Sequence, residues 1–263
     1  MDLGLSKKKA LIAGASRGLG FATALQLVKE DALVILNSRD EQHLIAATQR
    51  IEQETGTLPA FVAADVSNAQ AATDMVRIAA EKFGGLDILI CNAGGPPAGS
   101  FEAFDDEAWL KAVDLSFMSN VRMIRAALPY LRQSSAPSVL TITSVSVKQP
   151  LPNLILSNSI RAATVGLTKS LALELGQEGI RFNSILPGWT ETERVNDLLA
   201  FRAKNKGTSA EAERKQIASE IALGRMADPA EFANTAAFLV SPAASYITGV
   251  MLTVDGGSYK GTL

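Results

Sequence analysis

Short apolar runs rich in β-branched residues alternate with helix-length segments from one end of this chain to the other, and no other feature narrows its fold as far. The strand candidates are residues 9–13, 33–37, 60–63, 87–91, 138–143, 180–186 and 250–254. Segments of helical pattern, among them 19–30, 41–54, 69–83 and 159–175, lie between them. Strands joined in succession by right-handed helical crossovers stack in parallel and are covered on both faces. The expected fold class is therefore α/β: a Rossmann-like doubly wound sheet of seven mainly parallel strands with helices on both faces, built by residues 1–263 as a single domain. The stretch 190–228 breaks the alternation. It is charged and helical in pattern and follows a strand end, so it reads as a substrate-covering helical insertion in which Lys204, Lys206 and Gly207 mark a mobile link.

Composition removes several classes of function. Hydrophobic residues make up 47% of the chain, enough for a sizeable core, yet no run of about eighteen apolar residues occurs. No charged and then apolar leader pattern opens it either, so a soluble, cytoplasmic protein without a membrane partner is expected. The net charge of −2, from 25 basic and 27 acidic residues, argues against nucleic acid as a partner. A single cysteine, Cys91, excludes an internal disulfide and a cysteine-based zinc cluster. The single histidine, His43, sits in a polar helical stretch and reads as a surface residue, so no metal site is expected.

The first strand runs directly into Gly14-Ala15-Ser16-Arg17-Gly18-Leu19-Gly20 and then a helix. In such a turn Gly14 permits the sharp bend, Gly18 lets the backbone approach a phosphate, and Gly20 lets helix and strand pack closely. A pyrophosphate would lie at the positive end of the helix dipole, which points to a dinucleotide. Charge then selects which one. An NAD site places an acidic side chain at the end of the second strand, to bond the ribose 2′-hydroxyl. Here that position reads Asn37-Ser38-Arg39, and Arg17 lies in the glycine turn itself. Two guanidinium groups beside Ser16 and Ser38 suit a 2′-phosphate, so NADP(H) is favoured over NAD(H).

With these residues in view, the chain resembles the short-chain dehydrogenase/reductase family, especially members like the 3-oxoacyl-carrier-protein reductases. The resemblance covers essentially the whole chain. It rests on the turn 14–20, with Ala13 where threonine is common, and on Asp65-Val66, the pair that holds the adenine. Cys91-Asn92-Ala93-Gly94 stands where the family has Asn-Asn-Ala-Gly. Pro187-Gly188, with Thr190 and Thr192 following, resembles the segment that contacts the nicotinamide, and residues 249–257 match the family's last strand. The resemblance implies oxidoreduction between a carbonyl and an alcohol on a small-molecule substrate.

The catalytic pattern departs from the family. Ser144 fills the family's serine position, but thirteen residues on, where the tyrosine of Tyr-x-x-x-Lys belongs, stands Ser157, and four beyond it Arg161. The family's structural asparagine on the preceding helix is read as Asp114. None of Tyr130, Tyr246 and Tyr259 is followed by lysine at the required spacing. An aliphatic hydroxyl is a far weaker acid than a phenol, whose ordinary pKa is near ~10, and arginine does not give up its proton as lysine does. Three readings stand. Hydride transfer continues, with Ser144, Ser157, water or a substrate group supplying the proton and Arg161 stabilising negative charge. Alternatively, the protein binds cofactor without redox turnover, as a sensor or partner subunit. A serine hydrolase is the third, although His43 lies far from Ser144 in this topology. Lys148, in the loop after Ser144, and Trp189, after the Pro187-Gly188 turn, are candidate cleft residues; Lys148 with Arg161 favours an anionic or strongly polar substrate. The stretch 159–175 carries more apolar residues than one buried stripe needs, and the family's equivalent helix packs on its symmetry mate. A homodimer or homotetramer is expected.

Overall fold

The computed structural model describes residues 2–262. Seven strands form one sheet in the order β3-β2-β1-β4-β5-β6-β7, and every neighbouring pair is parallel. They are β1 (Lys9–Ile12), β2 (Leu33–Ser38), β3 (Ala60–Ala63), β4 (Ile88–Cys91), β5 (Ser138–Ile142), β6 (Arg181–Pro187) and β7 (Met251–Val254). Each expected strand is present within one residue at either end. The central strands are buried along their length, as a sheet covered on both faces demands.

Side-chain alternation divides the core into two layers. Ala10, Ile12, Ile88, Ile90, Leu140 and Ile185 face one way, toward α1 (Gly18–Lys29), α2 (Glu41–Thr55) and α9 (Pro229–Val240). Leu11, Leu89, Cys91, Val139 and Phe182 face the other, toward α3 (Ala69–Phe83), α5 (Ser119–Leu131) and α6 (Ile155–Leu175). The sheet reverses its winding between β1 and β4, which opens a crevice at the carboxyl ends of these strands.

Two features bring α6 into position. A buried hydroxyl chain joins Thr168 of α6 to Thr141 of β5 at 3.0 Å, and Thr141 to Ser184 of β6 at 3.0 Å. On its other side, α4 (Asp106–Val113) runs into a π-helical turn, Asp114–Met118, before α5. The Ser116 carbonyl of that turn accepts from Asn120 Nδ2 at 2.8 Å and from Thr164 Oγ1 of α6 at 2.9 Å.

The insertion is a helical pair, α7 (Glu193–Lys206) and α8 (Ala210–Glu220), whose flanking segments pair at Thr190 and Ala227. Its apolar faces bury Val195, Leu199, Ile217, Ile221 and Met226 as a core of their own. The expected mobile link is instead a tied turn. Gly207 closes α7 in the left-handed region, and Glu213, only 2% exposed, accepts from Lys206 at 2.9 Å and Thr208 at 2.8 Å. The sequence signal misread the cationic end of a helix and its glycine cap as looseness.

Candidate active site

The crevice is a cleft of about 480 Å³. Gly14, Ser16, Arg17, Gly18 and Leu19 line its floor, and Gly20 lies beneath it. A methyl group on Gly20 would collide with the Gly14 carbonyl oxygen, so α1 packs on the end of β1 only because residue 20 has no side chain. Gly14, at φ +58°, leaves similar room for Asn92, whose Nδ2 donates to the Gly14 carbonyl at 3.0 Å. Helix α1 begins without a side-chain cap, so its first amides are left to whatever enters the groove. At the opposite wall Thr190 is buried with its hydroxyl unpartnered. Uncapped amides, a floor that admits no Cβ and an orphaned hydroxyl all fit a dinucleotide.

Beyond the turn, Ser38, Arg39, Asp65 and Val66 line the far end of the cleft, with Ala93 and Gly94 between that end and the β5 side. Asn37 Nδ2 fixes the backbone there, donating to the carbonyls of Val62 and Ala64 at 3.1 Å each. Ser16 and Ser38 share a 3.1 Å hydrogen bond. Both arginines expected here are exposed; Arg39 lies 3.9 Å from Asp65, and Arg17 donates to Glu193 of α7 at 2.8 Å.

At the β5 side the cleft gathers Ser144, Ser157 and Arg161. Ser144 leaves β5 in an extended conformation and its Oγ accepts from the Ser146 amide at 3.1 Å. Asn158 Nδ2 donates to the Leu151 carbonyl at 2.9 Å and so secures the first turn of α6, which carries Ser157. Arg161 reaches back to the sheet, where Nη1 donates to the carbonyls of Ile142 at 3.0 Å and Thr143 at 2.8 Å. Burial, then the neighbouring Arg194, bring its pKa down to about 10, so it stays charged at neutral pH.

Asp114 does not join this group. Its half-exposed carboxylate accepts from Arg122 Nη2 at 2.8 Å, away from the cleft. The π-helical turn shifts the register, and Ser116 is the residue of that turn that bonds to α6. Lys148 is also displaced: its ammonium packs 5.4 Å over the Tyr259 ring and is absent from the cleft wall. Pro187, Gly188 and Thr192 line the cleft, and Thr192 caps α7 by accepting from the Val195 amide. Trp189 walls the cleft and also packs on the core of the insertion, with the Arg202 guanidinium 5.4 Å over its ring.

Sequence reasoning missed Arg194. It stands in the first turn of α7, lines the cleft and donates from Nη2 to the Pro96 carbonyl at 2.8 Å. Its only signal was its place two residues after Thr192, inside a stretch whose charges all read as surface. Gly95, beside both Arg161 and Arg194, was missed as well.

Comparison with known proteins follows the same lines. Residues 14–259 match the family model described as Enoyl-(Acyl carrier protein) reductase. Dehydrogenase/reductase SDR family member 4 of Bos taurus is 32% identical over 259 residues, 97% of this chain and 88% of the relative. L-sorbose reductase of Gluconobacter frateurii, solved with NADPH and L-sorbose, superposes with a TM-score of 0.94 at 32% identity, covering 99% of this chain and all of the other. A short-chain oxidoreductase of Pseudomonas aeruginosa PAO1, described as containing an atypical catalytic center, superposes with a TM-score of 0.88 at 29% identity, covering 98% and 99%. Among the described residues, no helix is long and apolar enough to cross a membrane.

Proposed function

The chain belongs to the short-chain dehydrogenase/reductase family of oxidoreductases, and from that premise we propose that it interconverts a carbonyl and an alcohol with NADP(H) through an altered catalytic set. The observation that carries the cofactor choice is that Arg17 and Arg39 both line the groove where β2 finishes in Ser38 without a carboxylate. Arginine meets a 2′-phosphate with bidentate, charge-assisted bonds, and the exposed partners Glu193 and Asp65 give it up at little cost. The NADPH complex of L-sorbose reductase supports the same reading.

The nicotinamide, when bound, supplies the hydride. The remaining work falls to the chain. The amides of α1 and the hydroxyls of Thr190 and Thr192 hold the cofactor, while Asn92 keeps the floor rigid. Ser144 and Ser157 orient the substrate oxygen. Arg161, fixed by two backbone carbonyls, opposes the negative charge that develops on that oxygen. Because it stays protonated, it acts by its field and not as a relay. The proton reaches the oxygen from a serine hydroxyl, from water or from a group of the substrate; a simple ketone offers no such group, and the hydroxyl and water are weaker acids than a tuned phenol, so its turnover is slow. The Pseudomonas aeruginosa relative, with its atypical centre, supports reading this as variation inside the family.

A second reading, cofactor binding without turnover, draws on the replaced tyrosine and lysine positions alone. Titration of NADPH and NADH by calorimetry tests the first. NADPH should bind more tightly, and Arg39→Ala should weaken NADPH by about tenfold or more with little effect on NADH. Equal affinity in the wild type overturns the preference.

A further inference from the structure

We propose that Arg161 and Arg194 together form a clamp for a carboxylate on the substrate, so that the preferred carbonyl compound is a short oxo acid. This rests on the reading of the cleft as a carbonyl-reducing site and names its substrate class.

The two guanidinium groups come from different elements, α6 and α7, and converge on one point. A methyl group placed on Gly95 would lie 3.2 Å from Arg194 Nη2 and 3.6 Å from Arg161 Nη2. Both side chains line the cleft. Their hydrogen bonds go to main-chain carbonyls, from Arg161 to Ile142 and Thr143 and from Arg194 to Pro96. These bonds hold the groups in place without neutralising them. Neither arginine forms an ion pair with a described carboxylate. Asp197, one turn along α7 and on the same wall, offsets part of the charge of Arg194 at longer range.

Two desolvated like charges near each other are costly: burial lowers the pKa of both arginines, and the Arg194 charge lowers that of Arg161 further. An anion placed between them removes it, and two planar forks match a carboxylate's two oxygens. Its position limits the ligand further. Arg161 stands one helical turn after Ser157 and bonds the carbonyl next to Ser144, so the carboxylate lies within a few atoms of the reacting carbon. A long neutral substrate leaves both charges buried and unanswered.

The test uses the protein saturated with NADP⁺, so that no hydride moves and binding is read alone. Calorimetric titration compares acetoacetate with acetoacetamide, and pyruvate with pyruvamide, pairs that differ in charge but hardly in shape. Each acid should bind about tenfold or more tightly than its amide. Arg194→Gln should abolish that preference with NADP⁺ affinity unchanged, and Gly95→Ala, whose methyl group would press on both guanidinium groups, should weaken the acids more than the amides. Equal affinity for acid and amide, no binding of either acid at millimolar concentration, or an Arg194→Gln defect in NADP⁺ affinity instead would each overturn the clamp. Failure of the reductase reading registers elsewhere: acid preference intact, but no NADPH oxidised with any of the four compounds.

Discussion

At the scale of single residues, the chemistry of this cleft turns on what stands at 157 and 161. A general acid contributes about 10²–10⁴-fold to rate, and the serine at 157 offers little of that. Ser157→Tyr combined with Arg161→Lys restores a phenol beside a tunable ammonium. NADPH oxidation with a diketone or 3-oxoacyl substrate should then rise by up to about 10²–10⁴-fold over the wild type. A wild type already fast, and equally fast as Ser157→Ala, would show that Ser157 has no part in proton delivery. The exchange carries its own cost, because the shorter lysine has to reach the Ile142 and Thr143 carbonyls to which Arg161 Nη1 now donates. Some residues of this site were legible in the sequence because their chemistry is local. Gly14 and Gly20 announce a turn that excludes Cβ atoms, and Ser144, Ser157 and Arg161 keep a spacing that one strand end and one helix turn preserve. Asp114 misled because a π-helical turn changes which residue faces inward, and nothing in a linear pattern marks such a turn. Arg194 was hidden for a different reason: an arginine on a charged helix becomes a cleft residue only once that helix folds over the sheet.

At the scale of elements, the α7–α8 pair forms one wall of the cleft, with Trp189, Thr192 and Arg194 at its near end. Its turn depends on Glu213, a carboxylate held below its ordinary value of 4.5, first by the Lys206 hydrogen bond and then by that of Thr208. A folded-state value below the unfolded one means the tie is complete above about 4.5 and is lost as pH falls through and below it. Glu213→Ala should therefore speed proteolytic cleavage near residues 207–209 at neutral pH, and the gap from wild type should close as the medium is acidified below 4.5. Equal cleavage of the two proteins at neutral pH would sink this role. Both helices of the pair were anticipated as helical pattern, but the turn between them was not. Its order comes from a buried carboxylate six residues past the glycine, a partnership invisible to composition.

At the scale of the whole molecule, α6 presents an outward face of small side chains, Ala162, Ala163, Gly166 and Ser170, ending at Leu173, which is 75% exposed. A flat face of this kind lets two copies of the helix approach closely, and a symmetric homo-oligomer is the expected state. Light scattering at micromolar concentration should give a multiple of the 27.8 kDa chain, and Ala163→Arg should reduce it. A monomeric mass for the wild type would refute the expectation. The doubly wound sheet of seven parallel strands was legible because alternating strands and helices admit few windings, whereas the assembly state depends on a surface whose partner lies outside the chain. The parallel sheet has one more consequence. Neighbouring strands are never consecutive through a short turn: β1 pairs with β4 across residues 10 and 88, and β5 with β6 across 138 and 181. The cleft draws on residues 14 to 198, so a nascent chain holds no part of it that works alone until β6 and α7 have arrived. Loop closure over such distances is slow, and ligand can reward only the finished product. Nucleotide in the medium will thus act as a late quality check on folding, drawing completed molecules out of the refolding pool without hastening the steps that make them.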